Sequence, residues 1–203
     1  MDRTTGDEPL QELAAAEACC TRCPLYRFAT HVVPGEGPSR ARLMFVGEQP
    51  GDSEDKAGRP FVGPAGRMFE RALADAGVPR GKVFVTNAVK HFKFQQRGKR
   101  RMHQRPNAHE IDRCKWWLDQ EIAIVAPRVI VALGATAVRS ILERPATIAS
   151  LRGEPHALND GISLFVTIHP SYLLRIRGEA DRAGAYEGFV EDVRRSWRHV
   201  AAG

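Results

Sequence analysis

Residues 41–52 read ARLMFVGEQPGD, and this stretch decides the fold. Arg42 to Val46 is a short apolar run of strand length, consistent with a strand buried on both faces. It stops abruptly in GEQPGDSED, Gly47 to Asp55. Polar groups gathered just past a buried strand are where open α/β sheets keep their sites. Working outward, comparable runs occur at Lys82–Asn87 (KVFVTN), Arg128–Leu133 (RVIVAL) and Ile162–Ile168 (ISLFVTI). Helical patterns alternate with them. Pro9–Cys20 is rich in Ala, Leu and Glu, a second helix runs from about Pro64 to Ala76, and ATAVRSILE follows Gly134. Asn107 with Glu110 three residues on is a capping pair for a helix reaching about Ala126. Its stripe of Ile111, Cys114, Leu118, Ile122 and Val125 turns Cys114 inward. A last helix covers about Ala183 to Trp197, and TIASLRGEPHALNDG reads as a hairpin or irregular edge turning at Asn159-Asp160-Gly161. This alternation predicts an α/β protein, a three-layer α/β/α sandwich around a four-stranded, mostly parallel sheet.

Three of the four strands end in polar motifs: GEQPG, TN and HPS. In a parallel sheet those ends share one edge, so Glu48, Gln49, Asn87 and His169 are expected to converge there. GATA after the third strand reads as structural, with Gly134 allowing close packing. Phe61, between Pro60 and Val62, reads by itself as a packing residue.

The 203 residues, 43% of them hydrophobic, fit a single domain spanning 1–203. A formal charge of +6 points to a polyanionic partner. The charge concentrates in residues 90–106, KHFKFQQRGKRRMHQRP, with seven Lys or Arg, His91 and His103. This insertion reads as a surface loop too charged to bury, and aromatics among its cations fit nucleic acid. The opening MDRTTGDEPLQEL is acidic and polar rather than a signal peptide. No apolar run approaches the ~20 residues of a membrane helix. A soluble, cytoplasmic monomer with no membrane partner is the expectation. Four cysteines in that compartment read as thiols or metal ligands. Cys20 and Cys23 have chelating Cys-x-x-Cys spacing, with a redox pair or incidental thiols as the other readings; neighbouring Cys19 leaves the register open. Cys114 is either a core residue or a third ligand.

Taken together, CTRC, GEQPGDSEDKAGRPFVGPAGR, VTNAVKHF and HPSYLLR resemble the uracil-DNA glycosylase superfamily over most of the chain. The closest fit is its iron–sulfur branch. Within that, GEQPG, VKHFKF and KRRMH are similar to the covalent uracil-DNA-binding (UdgX-type) proteins. The resemblance implies a [4Fe–4S] cluster on Cys20, Cys23, Cys114 and, where other members carry a fourth cysteine, His91. Zinc is an alternative for the same ligands. It also implies recognition of uracil in DNA, single-stranded by preference, with free uracil as product and attachment to the bacterial nucleoid while bound. Asn87 has the donor and acceptor to read the uracil edge, Phe61 can stack on the ring, and Gln49 adds a polar contact. His169 can donate to O2 as the base leaves. Tyr172 or Leu173 can wedge against the stack, with Ser171 and Arg175 on phosphate. Asp52 and Asp55 order the first loop or are plain solvated charges. Lys99, Arg100, Arg101 and Arg105 are expected on flanking phosphates, and the three arginines are expected to keep His103 neutral by repulsion. His103 is then the nucleophile that attacks the sugar C1′ and stays attached, with Glu48 stabilising the cation or taking a proton. A turnover glycosylase using water, and a non-catalytic metal-stabilised single-strand binder, are the competing readings.

Overall fold

In a computed structural model of the chain, residues 7–158 and 161–202 are described. The first strand, β1 (Leu43–Gly47), is buried at every position. It lies between β2 (Val83–Asn87) and β5 (Val129–Leu133), parallel to both. β7 (Ser163–Thr167) continues the parallel set, and the two-residue β6 (His156–Ala157) adds an antiparallel edge. The order is β2-β1-β5-β7-β6. The α/β sandwich therefore has five strands where four were expected. Two residues are too few to show alternation, so β6 reads as irregular edge in the sequence. Asn159 and Asp160 of its expected turn lie outside the described residues.

The two sheet faces follow the pleat of the strands. On one face Leu43, Phe45, Val85, Val131 and Phe165 pack against Phe69 and Leu73 of α3 (Pro64–Asp75) and Phe189 and Val193 of α8 (Glu179–Ala202). On the other, Met44, Val46, Ile130 and Val166 meet Leu118 of α4 (Ala108–Val125) and Val138 of α5 (Ala135–Leu142). Asn107 caps α4 as expected, accepting from the Glu110 N–H at 2.9 Å. The first helix, α1 (Glu8–Ala18), packs on α4 and stops before Cys20. Among the described residues no helix is long and apolar enough to cross a membrane.

The basic insertion departs from its reading as a surface loop. It forms a hairpin, β3 (Phe94–Arg97) and β4 (Arg100–His103), turning at Gly98-Lys99 with Gly98 at φ 57. Glycine at the first of two turn residues is the pattern of a type II′ connection. Its base is not at the surface. Lys90, His91 and Phe92 are buried, because Val89 N–H still pairs with Glu48 O past the end of β2. The Lys90 ammonium is satisfied inside by Glu121 at 2.6 Å and the Thr86 hydroxyl at 2.5 Å. Glu121 also accepts from Gly35 N–H at 2.7 Å, so one buried carboxylate ties α4, β2 and the PGEG loop. Glu17 of α1 is buried with neither carboxyl oxygen partnered, and burial pushes its pKa up to about 8, so it is held as the neutral acid.

Candidate active site at the carboxyl edge of the sheet

The ends of β1, β2, β5 and β7 open into one cavity of about 940 Å³. Glu48, Gln49, Asn87 and His169 all line it, together with Phe61 and His103. Two glycines make this possible. A Cβ on Gly47 would run into Asn87 Oδ1 and come within 3.0 Å of Phe61 Cζ. A Cβ on Gly66 would collide with the carbonyl of Phe61. Phe61 itself holds φ 56, an uncommon conformation for a bulky residue, and its ring packs at 5.0 Å on Phe69. The ring is a fixed wall, with Asn87 buried beside it.

His169 caps α7 (Pro170–Leu173). Ser171 N–H donates to His169 Nδ1 at 3.2 Å, and an amide N–H can only donate. Nδ1 is therefore unprotonated, and the neutral ring carries its hydrogen on Nε2. Burial pushes the His169 pKa down to about 4, against the pull of Glu48 and with help from His103 and Arg175, so the neutral form is the working one. Leu173 is fully buried in the core and cannot wedge into a base stack, which corrects that expectation. Tyr172 and Leu174, 49% and 46% exposed, stand at the rim instead, with Ser171 and Arg175 beside them.

Glu48 is the electrostatic centre. One carboxyl oxygen accepts from the Thr136 hydroxyl at 2.6 Å, and the other lies 3.2 Å from His103 Nε2. Arg105 Nε stands 3.9 Å away. Burial works to raise its pKa, but the hydrogen bonds from His103 and Thr136 outweigh that and hold the carboxyl below its usual range. Thr136 belongs to the GATA segment read as purely structural. Gly134 also does more than pack a helix: at φ 90, its missing Cβ leaves room for His169 Cβ, which a side chain would approach to 3.2 Å.

Several residues fall elsewhere than expected. The Gln49 amide is occupied by the hairpin, donating to Lys93 O and Gln104 O and accepting from Lys93 N–H. It holds the strand that carries His103, and both of its amide hydrogens are taken. Asp52 and Asp55 lie on a short helix, α2 (Asp52–Ala57), where a loop was expected. Asp55 is fully buried and is paired by Arg101 at 2.5 Å while accepting from Thr30 N–H. Arg101 also pairs with Asp52 at 2.5 Å and covers the rings of Phe92 and Phe94. Arg101 thus clamps the hairpin to α2 instead of acting as an unopposed cation beside His103. The charged group that meets His103 is the Glu48 carboxylate, not a cluster of arginines. Lys99 stands on the hairpin turn and Arg100 opens β4, both outside the main cavity. Glu54, not singled out by sequence, fixes the GEQPG and PFVG segments by accepting from Gly51 and Gly63 N–H groups.

The expected metal donors lie behind this site. Cys20, Cys23 and Cys114 share one buried cluster with Trp117, and all three are free thiols. Trp117 Nε1–H points to Cys20 Sγ at 3.1 Å and Lys90 N–H to Cys114 Sγ at 3.2 Å, contacts that suit sulfurs carrying negative charge. His91, next in the chain, has a buried Nδ1 without a partner. Burial pushes the Cys114 thiol up to about 12, so a bound cation is what would make it a thiolate. Among the described residues no three His, Cys, Asp or Glu side chains are drawn together closely enough to chelate one ion. Donor type, burial and the orphaned imidazole nitrogen fit a thiolate-bound group. Cys19 is exposed and stands outside the set.

Comparison with known proteins agrees with this arrangement. A family model described as "Uracil DNA glycosylase superfamily" matches residues 34–194. A type-4 uracil-DNA glycosylase of Pyrobaculum aerophilum is 38% identical over 180 residues, covering 84% of this chain and 88% of that protein. One of Thermotoga maritima is 40% identical over 174 residues, covering 85% and 87%. A type-5 uracil-DNA glycosylase of P. aerophilum is 32% identical over 157 residues, covering 70% and 66%. With the sheet-edge pocket, the matched span and these identities, the chain belongs to the uracil-DNA glycosylase superfamily.

Proposed function

We propose that this protein excises uracil from DNA. The observation that carries the reading is the meeting in one pocket of a fixed aromatic wall, a buried amide and a neutral Nε2–H imidazole. Uracil stacked on Phe61 presents O4 and N3–H to Asn87, whose amide supplies a donor and an acceptor. His169 Nε2–H faces O2, where negative charge grows as the glycosidic bond breaks and its electrons pass to the base. The Glu48 carboxylate, held ionised, stabilises the positive sugar left behind. The names of the matched relatives support turnover, with water as the final nucleophile.

A second reading is favoured by one observation. His103, 48% exposed, stands at the pocket mouth with Nε2 3.2 Å from Glu48. A carboxylate only accepts, so Nε2 carries a hydrogen, and in the neutral tautomer with that hydrogen Nδ1 keeps a lone pair. Attack by Nδ1 on C1′ forms an N–C bond as the bond to uracil breaks, and the Nε2 proton passes to Glu48 or water. The product is a protein–DNA adduct. A denaturing gel with uracil-containing single-stranded DNA decides between the two. Turnover gives free abasic DNA, capture gives an SDS-stable band that His103→Ser abolishes, and neither product from intact protein overturns both.

Cys20, Cys23, Cys114 and His91 Nδ1 would hold a [4Fe–4S] cluster, with zinc as the alternative for the same donors. Held by these residues, which lie behind the hairpin base, the group would supply a structural tie between α1, α4 and Lys90–Phe92. A brown, iron-containing protein purified without air supports the cluster, and a colourless, zinc-loaded one refutes it.

A further inference from the structure

A second hollow of about 490 Å³ opens beside the first, and Met102 and Asp52 line both. That volume is within the roughly 300–1,000 Å³ of cavities that take small ligands. Its other walls include Lys56, Lys99, Arg100 and Arg101. Two of these cations are already committed: Lys56 to Asp52, and Arg101 to Asp52 and Asp55. Among the described residues Lys99 and Arg100 pair with no carboxylate. Side chains alternate along β4, so Arg100 and Met102 share one face, opposite Arg101 and His103. Met102 is 42% exposed, an apolar side chain on the ridge between the two hollows.

We propose that the second hollow is a subsite for the nucleotide adjoining the uracil nucleotide on a single strand. Lys99 and Arg100 take its phosphate and Met102 takes the face of its base. This rests on the first cavity being the uracil pocket. A strand leaving that pocket crosses Met102 to enter the second hollow, and a base lying against Met102 is turned away from any complementary strand. The subsite therefore makes the protein prefer single strands and read one side of the lesion more than the other.

The test uses short single strands carrying uracil at one terminus, with thymidines added only on the 5′ or only on the 3′ side. With the intact protein, the first nucleotide on one side is expected to raise kcat/KM about tenfold, the order of one charge-assisted contact. The same addition on the other side is expected to change it far less. In Lys99→Gln/Arg100→Gln, both positions being exposed, the one-sided gain is expected to disappear. The salt slope of binding is expected to fall by about 0.7, the value for one phosphate. Met102→Ala is expected to lose part of the gain with the salt slope unchanged. Equal gains on both sides, or a one-sided gain that survives the double substitution, overturn the proposal. If no strand loses uracil, the glycosylase reading fails independently. The subsite is then judged by anisotropy on the same strands, where a salt slope unaffected by the double substitution refutes it.

Discussion

Gly47→Ala isolates the geometry of the pocket from its chemistry. Gly47 closes β1, buried and in register with Asn87 of β2. The added Cβ would overlap Asn87 Oδ1 and approach Phe61 Cζ to 3.0 Å, inside the ~3.5–4.0 Å of carbon–carbon contact. Phe61 is pinned by Phe69 and by the absence of a side chain at Gly66, so the Asn87 amide is what must move, by about 1 Å. A misplacement of that size costs about 10²-fold in rate, or about 2.7 kcal/mol of transition-state stabilisation. The fold should lose only the ~1–3 kcal/mol typical of overpacking. The assay is single-turnover release of uracil from a single strand, run well below the midpoint of thermal unfolding. Gly81→Ala is the control, because a Cβ there meets nothing within 4 Å. A Gly47→Ala protein that is folded and within about threefold of the parent would refute the reasoning.

Other expectations concern what holds the site. Arg101→Ala leaves the Asp55 charge buried with no cation, and should destabilise by about 3 kcal/mol in urea, whereas Arg100→Ala should stay within ~0.5 kcal/mol; equal effects would discredit the clamp. Lys90→Met strands Glu121 and should cost about 3–5 kcal/mol, with Lys90→Met/Glu121→Leu recovering a large part of it; additive losses in thermal unfolding would argue against a coupled pair. His169 sets a pH dependence. Its folded pKa of about 4 lies below the unfolded value of about 6.5, so the unfolded state binds more protons in between. Its contribution is whole above about 6.5 and lost as pH falls to 4, by up to about 3 kcal/mol. Urea titrations at pH 7.5 and 4.5 should therefore show a smaller acid loss for His169→Asn than for the parent, and identical losses would remove the claim.

What the sequence revealed and what it hid divide along a physical line. Strand runs such as LMFV and VFVT are periodic and local, so β1 and β2 and the edge they share were legible. So were Asn87 and His169, which stand within two residues of strand ends. Partners set by long-range contacts were not. Thr136 reaches Glu48 across 88 positions, and Lys90 reaches Glu121 across 31, so nothing near either residue announces its role. Composition misled at residues 90–106, since charge said surface while the pairing of Val89 with Glu48 carries the next three residues inside. Gln49 misled in the other direction. An amide beside a pocket reads as a ligand contact until Lys93 and Gln104 are seen to occupy it.

The hairpin anchorage sets how far this histidine can travel between relatives. His103 sits on a strand whose position depends on the Gln49 amide, on Arg101 reaching Asp55, and on a base threaded between α4 and the cysteines. Transplanting the segment alone into a superfamily member without that glutamine and aspartate would deliver an imidazole on an unsecured arm. The portable unit is discontinuous: the hairpin, the glutamine after β1 and the buried aspartate of α2 together. An imidazole held at this position thus depends on three separated places in the chain.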